Sequence, residues 1–240
     1  VNKEGELLGR ATARTGYRGK EVAQRLIEQL LEEQSLSKDE VGATVATGYG
    51  RVTFPADREV SEITCQAKGV AHLFPTVSTV IDIGGQDSKV IRVLPGGKVL
   101  DFAMNDKCAA GTGRVLEVMA AALEVPLEEV GPLAVQAEKA CPVSSFCTVF
   151  AESEVISHVS QGIPKDQILA GICDAVASRV AALAERTGLE YPVVFTGGVA
   201  RNQGVAQALS RHLGEEVMIP PDPQITAALG AALFAVEQGK

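Results

Sequence analysis

The stretch VIDIGGQDSKVIRV, residues 80–93, places a glycine pair and two acidic residues between apolar segments. An apolar strand leads to Asp82, the chain turns at Gly84 and Gly85, and Gln86 and Asp87 precede a second apolar strand. Because glycines have no side chains, backbone N–H groups in such a turn can approach phosphate oxygens closely. Mg²⁺ prefers one or two carboxylates plus waters, and Gln86 could orient an attacking water. The acidic residues and the flanking strands favour a phosphate site over a plain hairpin turn.

A second glycine pair occurs in VVFTGGVARNQGVAQAL, residues 193–209. A strand ends at Thr196, Gly197 and Gly198 follow, and a helix is predicted from Val199. A nucleotide can lie against such a turn and use the helix N-terminus, with Asn202 also within the motif. The alternative is an ordinary tight connection between strand and helix. Neither glycine pair has the spacing of a P-loop or of a dinucleotide-binding fold.

Composition excludes several classes of function. The 240 residues carry a net charge of −8 and no lysine or arginine cluster, so nucleic acid is not an expected partner. We find no apolar run of the roughly 18 residues that a membrane span needs, and expect no membrane association. An odd number of cysteines in a chain of this length does not indicate a disulfide framework, which favours a reducing cytoplasm. The five cysteines are Cys65, Cys108, Cys141, Cys147 and Cys173.

Strands and helices are predicted to alternate, which is typical of an α/β fold. The predicted strands are 1–14, 43–47, 77–83, 89–94, 98–104, 193–196 and 216–219. The predicted helices include 20–34, 61–73 with Ser61 as a cap, a helical region up to about Thr187 that ends at Gly188, and 224–238.

Two cysteine segments complete the pattern: NDKCAAGTGR at 105–114 and SSFCTVFAESEV at 144–155. Together with the glycine motifs, and in this order along the chain, the cysteine segments resemble the ATP-dependent activators (component A) of 2-hydroxyacyl-CoA dehydratases and the related ATPase subunits of benzoyl-CoA reductase. This family belongs to the superfamily of actin, sugar kinases and heat-shock chaperone ATPases. The resemblance implies a two-lobed, RNase H-like fold with ATP in the cleft. We expect a first lobe at 1–76, a second at 77–223, and a final helix at 224–240 that packs back on the first.

The resemblance also implies cofactors and partners. It implies a homodimer with one shared [4Fe–4S] cluster, ligated by Cys108 and Cys147 of each subunit, together with ATP or ADP and Mg²⁺. The partners would be a dehydratase that receives one electron and a ferredoxin or flavodoxin that donates it. Independently, a [4Fe–4S] cluster needs four thiolates, and the chain has no CxxCxxC run with which one subunit could supply them. Both cysteines precede predicted helices, whose positive N-termini favour an anionic cluster.

The remaining candidate residues are predicted to lie near the nucleotide, to be structural, or to face solvent. We expect Gly111, Thr112 and Gly113 near the nucleotide, whereas Glu152 either contacts the nucleotide or complements a helix dipole. Cys65, Cys173 and Cys141 are predicted to be structural. Glu154 and His158 share a helical face and are predicted to lie on a solvated surface rather than to bind metal.

One feature of the superfamily is missing from these residues. Its first phosphate loop lies between its first two strands, and no such glycine-rich loop occurs near the start of the sequence. We therefore expect that the first strands and the first phosphate loop have been truncated; the alternative is a natural variant without them. The alternative functions are a benzoyl-CoA reductase-type subunit, a small-molecule kinase of the same fold, and a non-catalytic nucleotide-binding protein.

Overall fold

The structure is a computed structural model that describes residues 1–143 and 148–238. The chain divides into two compact units. The first comprises Val1–Pro75, Pro95–Val99 and Ile225–Lys240, and the second comprises Thr76–Leu94 and Leu100–Gln224.

Close packing of two helices holds the first unit together. Its elements are α1 (Gly19–Glu33), β1 (Val45–Ala46), β2 (Arg58–Glu59), α2 (Glu62–Leu73) and α8 (Thr226–Gln238). Helix α2 begins at the predicted cap, where the Ser61 hydroxyl accepts a hydrogen bond from the Thr64 N–H at 3.2 Å. A Cβ at Gly69 would lie 1.9 Å from the carbonyl oxygen of Thr226, so only glycine permits this approach of α2 to α8.

A sheet organises the second unit. Its strands are β3 (Thr79–Ile83), β4 (Ser88–Leu94), β5 (Lys98–Asn105) and β6 (Val193–Thr196), of which β5 has its first two residues in the segment Pro95–Val99 of the first unit. Among the described residues their order is β5-β4-β3-β6, with β3 antiparallel to β4 and parallel to β6. Every residue of β3 is buried, as expected for a central strand. The helices of this unit are α3 (Gly113–Ala122), α4 (Val130–Gln136), α5 (Thr148–Ser160), α6 (Lys165–Arg186) and α7 (Gln203–Leu213).

Helix α6 is the centre of the hydrophobic core of the second unit. Its apolar stripe, which includes Ile168, Ile172 and Val176, is buried against residues of β3, α3 and α7. Among the described helices, α6 alone is long and apolar enough by composition to cross a membrane. Its buried apolar face accounts for that composition, because the core helix of a folded domain has the same requirement.

Two predicted strands are not formed. The pattern of residues 1–14 predicts an extended segment, but the Asn2 side chain accepts hydrogen bonds from the N–H groups of Glu4 and Glu6 and folds the start of the chain into a local turn. The predicted strand at 216–219 is reduced to one bridge between Val194 and Met218. In the first case the Asn2 side chain serves as the hydrogen-bond partner at residues 2–6 only, and residues 7–14 form no strand.

Candidate nucleotide and cluster site

The carboxylate of Asp82 lies at the centre of the candidate site, in the second unit. Asp82 pairs with Lys89 on β4 and with Thr196 on β6. The Thr196 hydroxyl donates a hydrogen bond to Asp82 Oδ1 at 2.9 Å, and Lys89 Nζ lies 3.7 Å from Asp82 Oδ2. The phosphate turn at 84–87 and the glycine pair after β6 are therefore joined through one buried carboxylate.

Lys89 is a member of this site that the sequence reasoning missed. Its side chain is only 2% exposed, and its ammonium donates a hydrogen bond to Asp87 Oδ1 at 2.7 Å. Asp82 and Asp87 are themselves buried, at 7% and 6% exposure. A buried ammonium is stable only when paired, and here it lies within 4 Å of two carboxylates. The signal that could have found Lys89 was the short connection at 84–87, since it fixes the register that places Lys89 across from Asp82.

The second glycine pair begins against the end of β3. Gly197 adopts φ 86° and ψ 176°, a conformation that is essentially restricted to glycine. A Cβ there would lie 2.3 Å from the carbonyl oxygen of Ile83 and 3.0 Å from Asp82 Oδ1. Gly198 is exposed beside the Gln224 side chain, and Val199 is buried. The structure thus brings the predicted adenosine motif next to the end of β3.

The start of helix α3 is bound to the phosphate turn. The N–H groups of Gly113 and Arg114 donate to the carbonyl oxygens of Gly84 and Gly85 at 2.8 and 2.9 Å. The Thr112 hydroxyl caps the helix by accepting a hydrogen bond from the Arg114 N–H at 3.3 Å. The sequence predicts that the N-terminus of this helix faces an iron–sulfur cluster. The N–H groups of Gly113 and Arg114 instead donate to the phosphate turn. This contact also explains the glycine at 113, because a Cβ on Gly113 would lie 3.1 Å from the Gly84 carbonyl oxygen.

Cys108 lies on an exposed turn between β5 and α3. The Asn105 side chain braces this turn: its amide group donates to the carbonyl oxygens of Cys108 and Ala110 at 2.8 and 3.0 Å, and its oxygen accepts from the Cys108 N–H at 3.2 Å. A thiol on a fixed but exposed turn can reach a ligand outside its own chain.

One groove of about 620 Å³ joins Cys108 to the phosphate turn. Gly85 and Gln86 line it on the phosphate side, and Cys108 and its neighbours line it on the other. Arg114 also lines the groove and pairs with Glu117 at 2.9 Å. The remaining lining residues are Asp106, Lys107 and Ala109.

Some predicted site residues are not brought into this arrangement. Cys147 lies outside the described residues. Glu152 is half-buried on α5, and it is not among the residues that line the groove. The Asn202 side-chain oxygen accepts from the Val205 N–H at 3.0 Å and caps α7, so this atom has a structural role. Within the described residues, no group of three or more histidine, cysteine, aspartate or glutamate side chains is placed to hold a metal ion.

The prediction of a solvated face for Glu154 and His158 was wrong. Their side chains are 20% and 18% exposed, and His158 Nε2 lies 3.9 Å from Glu154 Oε1. Neither ring nitrogen of His158 makes a hydrogen bond within the described part of the chain. Helix α5 contacts both α3 and α6.

The other described cysteines are buried, as predicted. Burial raises the pKa of the Cys173 thiol to about 12, and burial also raises the pKa of Cys65. Cys141 is buried beside Gly171 of α6, where a Cβ would lie 1.7 Å from the Cys141 carbonyl oxygen. A neutral, buried thiol packs as a small hydrophobic side chain and is a poor metal ligand.

Comparison with known proteins identifies the relatives of this chain. Residues 1–235 match the BadF/BadG/BcrA/BcrD ATPase family. The chain is 53% identical over 220 residues to the activator of lactoyl-CoA dehydratase from Anaerotignum propionicum, covering 91% of this chain and 85% of that protein. It is 35% identical over 219 residues to one of the subunits of benzoyl-CoA reductase from Thauera aromatica, covering 89% and 78% of the two chains.

Two solved structures are also similar. Component A of the (R)-2-hydroxyglutaryl-CoA dehydratase of Acidaminococcus fermentans has a TM-score of 0.96 at 46% identity, covering 100% of this chain and 92% of that one. The activator of 2-hydroxyisocaproyl-CoA dehydratase from Clostridium difficile, solved with bound ADPNP, has a TM-score of 0.91 at 42% identity, covering 100% and 89%. These findings confirm the family resemblance and the predicted fold class.

Proposed function

The chain belongs to the BadF/BadG/BcrA/BcrD ATPase family, and from that premise we propose that it is an ATP-hydrolysing electron donor that activates a 2-hydroxyacyl-CoA dehydratase. It would act in the cytoplasm as a homodimer. The two units support the proposed lobes at 1–76 and 77–223 and the assignment of the helix at 224–240 to the first, except that Pro95–Val99 belongs to the first unit.

The observation that carries this proposal is the physical connection between the phosphate turn and the turn of Cys108. Both line one groove, and the N–H groups that begin α3 donate to the carbonyl oxygens of Gly84 and Gly85. A nucleotide that moves the phosphate turn must therefore strain or move the start of α3, which follows Cys108 by five residues. Nucleotide can bias two states of a protein only through different contacts in each, and these hydrogen bonds would carry such a bias from the phosphate turn to the start of α3.

The residues present fit Mg²⁺ and a nucleotide. Asp82 and Asp87 supply the two carboxylates that Mg²⁺ accepts alongside water, and the backbone of Gly84 and Gly85 can approach phosphate oxygens. Gln86 is exposed at the tip of the turn and lines the groove, where it can orient a water molecule. Gly197, Gly198 and Val199 would contact the adenosine.

Cys108 fits a cluster shared between two copies of the chain. Its turn is braced by Asn105 and its thiol is exposed, so the ligand can face a symmetry-related copy. Cys147, which lies outside the described residues, is proposed as the second ligand of each subunit. A bound [4Fe–4S] cluster would supply one-electron chemistry, taking an electron from a low-potential carrier such as ferredoxin or flavodoxin and passing it to the dehydratase.

A benzoyl-CoA reductase-type function is the second candidate, since the chain also matches one component of that enzyme. Its identity to that component is 35%, against 53% to the lactoyl-CoA dehydratase activator. The higher identity favours the dehydratase activator.

The test is activation of a dehydratase under anaerobic conditions. The purified protein is mixed with the lactoyl-CoA dehydratase of Anaerotignum propionicum, dithionite and Mg²⁺, with ATP, ADP or ADPNP. We expect dehydration of lactoyl-CoA with ATP only. ATP hydrolysis without activation of this or other 2-hydroxyacyl-CoA dehydratases would contradict the proposal.

A further inference from the structure

We propose that the Lys89 ammonium sets the charge of the phosphate site: it leaves the Asp82 and Asp87 carboxylates one net negative charge, so that Mg²⁺ enters together with the nucleotide and not alone. This inference rests on the proposed function only in assuming that the phosphate turn binds Mg²⁺ and nucleotide.

The placement of Lys89 is built into the sheet. Lys89 lies directly across from Asp82 in the antiparallel pairing of β3 with β4. Its ammonium reaches Asp87 Oδ1 at 2.7 Å and Asp82 Oδ2 at 3.7 Å, while the side chain is 2% exposed. The lysine therefore bridges the strand before the phosphate turn and the last residue of that turn.

The charge arithmetic gives Lys89 a role beyond packing. Two carboxylates and one ammonium leave one negative charge, whereas the carboxylates alone would carry two. Two negative charges in a poorly solvated site attract a divalent cation strongly and repel the phosphates of a nucleotide. With the ammonium present, the attraction for a free cation and the repulsion of phosphate both fall.

The geometry also separates this role from that of a general structural ion pair. The Thr196 hydroxyl donates to Asp82 Oδ1, so the Asp82 side chain stays bonded to β6 if the Lys89 ammonium is removed. Gly84 donates its N–H to the Asp87 carbonyl oxygen at 2.9 Å, so the backbone of the turn is closed without Lys89. Loss of the positive charge should therefore change the charge of the site more than its backbone.

The experiment compares wild type with Lys89→Gln, which keeps a polar side chain without charge, and Lys89→Arg, which keeps the charge. Calorimetry measures Mg²⁺ binding to the nucleotide-free protein, and ADP binding in the presence of EDTA. We expect Lys89→Gln to bind Mg²⁺ alone at least about tenfold more tightly than wild type. We also expect it to bind metal-free ADP more weakly, and Lys89→Arg to resemble wild type in both measurements.

Folding of the variant is followed by circular dichroism and thermal unfolding with and without Mg²⁺. If Lys89→Gln is unstable alone but regains the wild-type melting temperature in Mg²⁺, the proposal is supported, because the cation replaces the missing charge. It is overturned if the folded variant binds Mg²⁺ and metal-free ADP as wild type does, or if Mg²⁺ fails to restore an unfolded variant. Neither readout uses a dehydratase, so failure of dehydratase activation with normal Mg²⁺ and ADP binding would reject the proposed function alone.

Discussion

The Thr196 hydroxyl donates a hydrogen bond to Asp82 Oδ1 at 2.9 Å, across the parallel pairing of β6 with β3. Thr196 immediately precedes the glycine pair of the proposed adenosine motif, and Asp82 precedes the phosphate turn by two residues. Both side chains are buried, with 0% and 7% exposure. This bond fixes the relative position of two segments that are far apart in the sequence.

Replacement of Thr196 by valine should lower the free energy of unfolding by about 1–3 kcal/mol, because it leaves a buried carboxylate oxygen without this donor. ADP affinity should fall as well, since both motifs depend on the same bond. Urea unfolding and calorimetry measure the two effects. Thr196→Ser is the matched control and should stay close to wild type. A Thr196→Val protein that is as stable as wild type and binds ADP equally well would show that the bond has no such role.

Gly197→Ala should be strongly destabilising. The variant places a Cβ 2.3 Å from the Ile83 carbonyl oxygen and forces alanine into a conformation reserved for glycine, at an expected cost of about 2–6 kcal/mol. Gly214 offers a control, because it also has a positive φ, 79°, but no atom lies within 4 Å of the position that a Cβ would take there. Gly214→Ala should cost only about 1–2 kcal/mol. Equal losses in chemical denaturation would mean that the close approach to Ile83 does not matter.

Gln86→Ala should reduce ATP hydrolysis by up to about a hundredfold while leaving the iron content unchanged, because an unoriented water attacks phosphate poorly. Gln86 lines the groove but is not a thiol, so the cluster should assemble normally. Phosphate release and iron quantification on the same sample separate the two functions. Exposed Gln161→Ala on the protein surface serves as a control. Unchanged hydrolysis in Gln86→Ala would remove this residue from the site.

Cys173 should make stability depend on pH in the alkaline range. Burial raises the pKa of its thiol from 9.0 to about 12, so between these values the unfolded chain loses a proton that the folded chain keeps. The contribution is complete below pH 9 and is lost as pH rises toward 12, by about 1.4 kcal/mol per pH unit. Denaturation series for wild type and Cys173→Ala over this range should therefore converge as pH rises. Parallel pH dependences would contradict the raised pKa.

The glycine motifs could be recognised in the sequence because each turn depends mainly on residues that are adjacent in the chain. Gly84, Gly85 and Gly197 follow apolar strands, and such a pattern predicts a turn with close backbone approach. Lys89 carries no such local signal and could be found only through the register that the short connection at 84–87 imposes on β3 and β4. Burial of both Lys89 and Asp82 is a property of the assembled sheet rather than of either segment.

For residues 1–14, the sequence predicted a strand that the structure does not contain. Residues 1–14 have a strand-like pattern, but the side chain of Asn2 satisfies nearby backbone N–H groups and stabilises a turn. Local side-chain hydrogen bonds of this kind compete with extended structure, and residue pattern alone does not decide the competition. The hydrogen bonds from Gly113 and Arg114 to the phosphate turn could not be predicted from the sequence either, because the first N–H groups of a helix can donate to any nearby acceptor.

The iron content of the anaerobically reconstituted protein, combined with its size in solution, tests whether two copies of the chain share one cluster. We expect about four irons per dimer in wild type. It predicts none in Cys108→Ser or Cys147→Ser, with a weaker dimer in both, because metal binding and association are linked when neither subunit holds the site alone. Cys65→Ser and Cys173→Ser, whose thiols are buried, should keep the full iron content. Four irons per monomer, or an intact cluster in Cys108→Ser, would contradict a cluster shared between two copies of the chain.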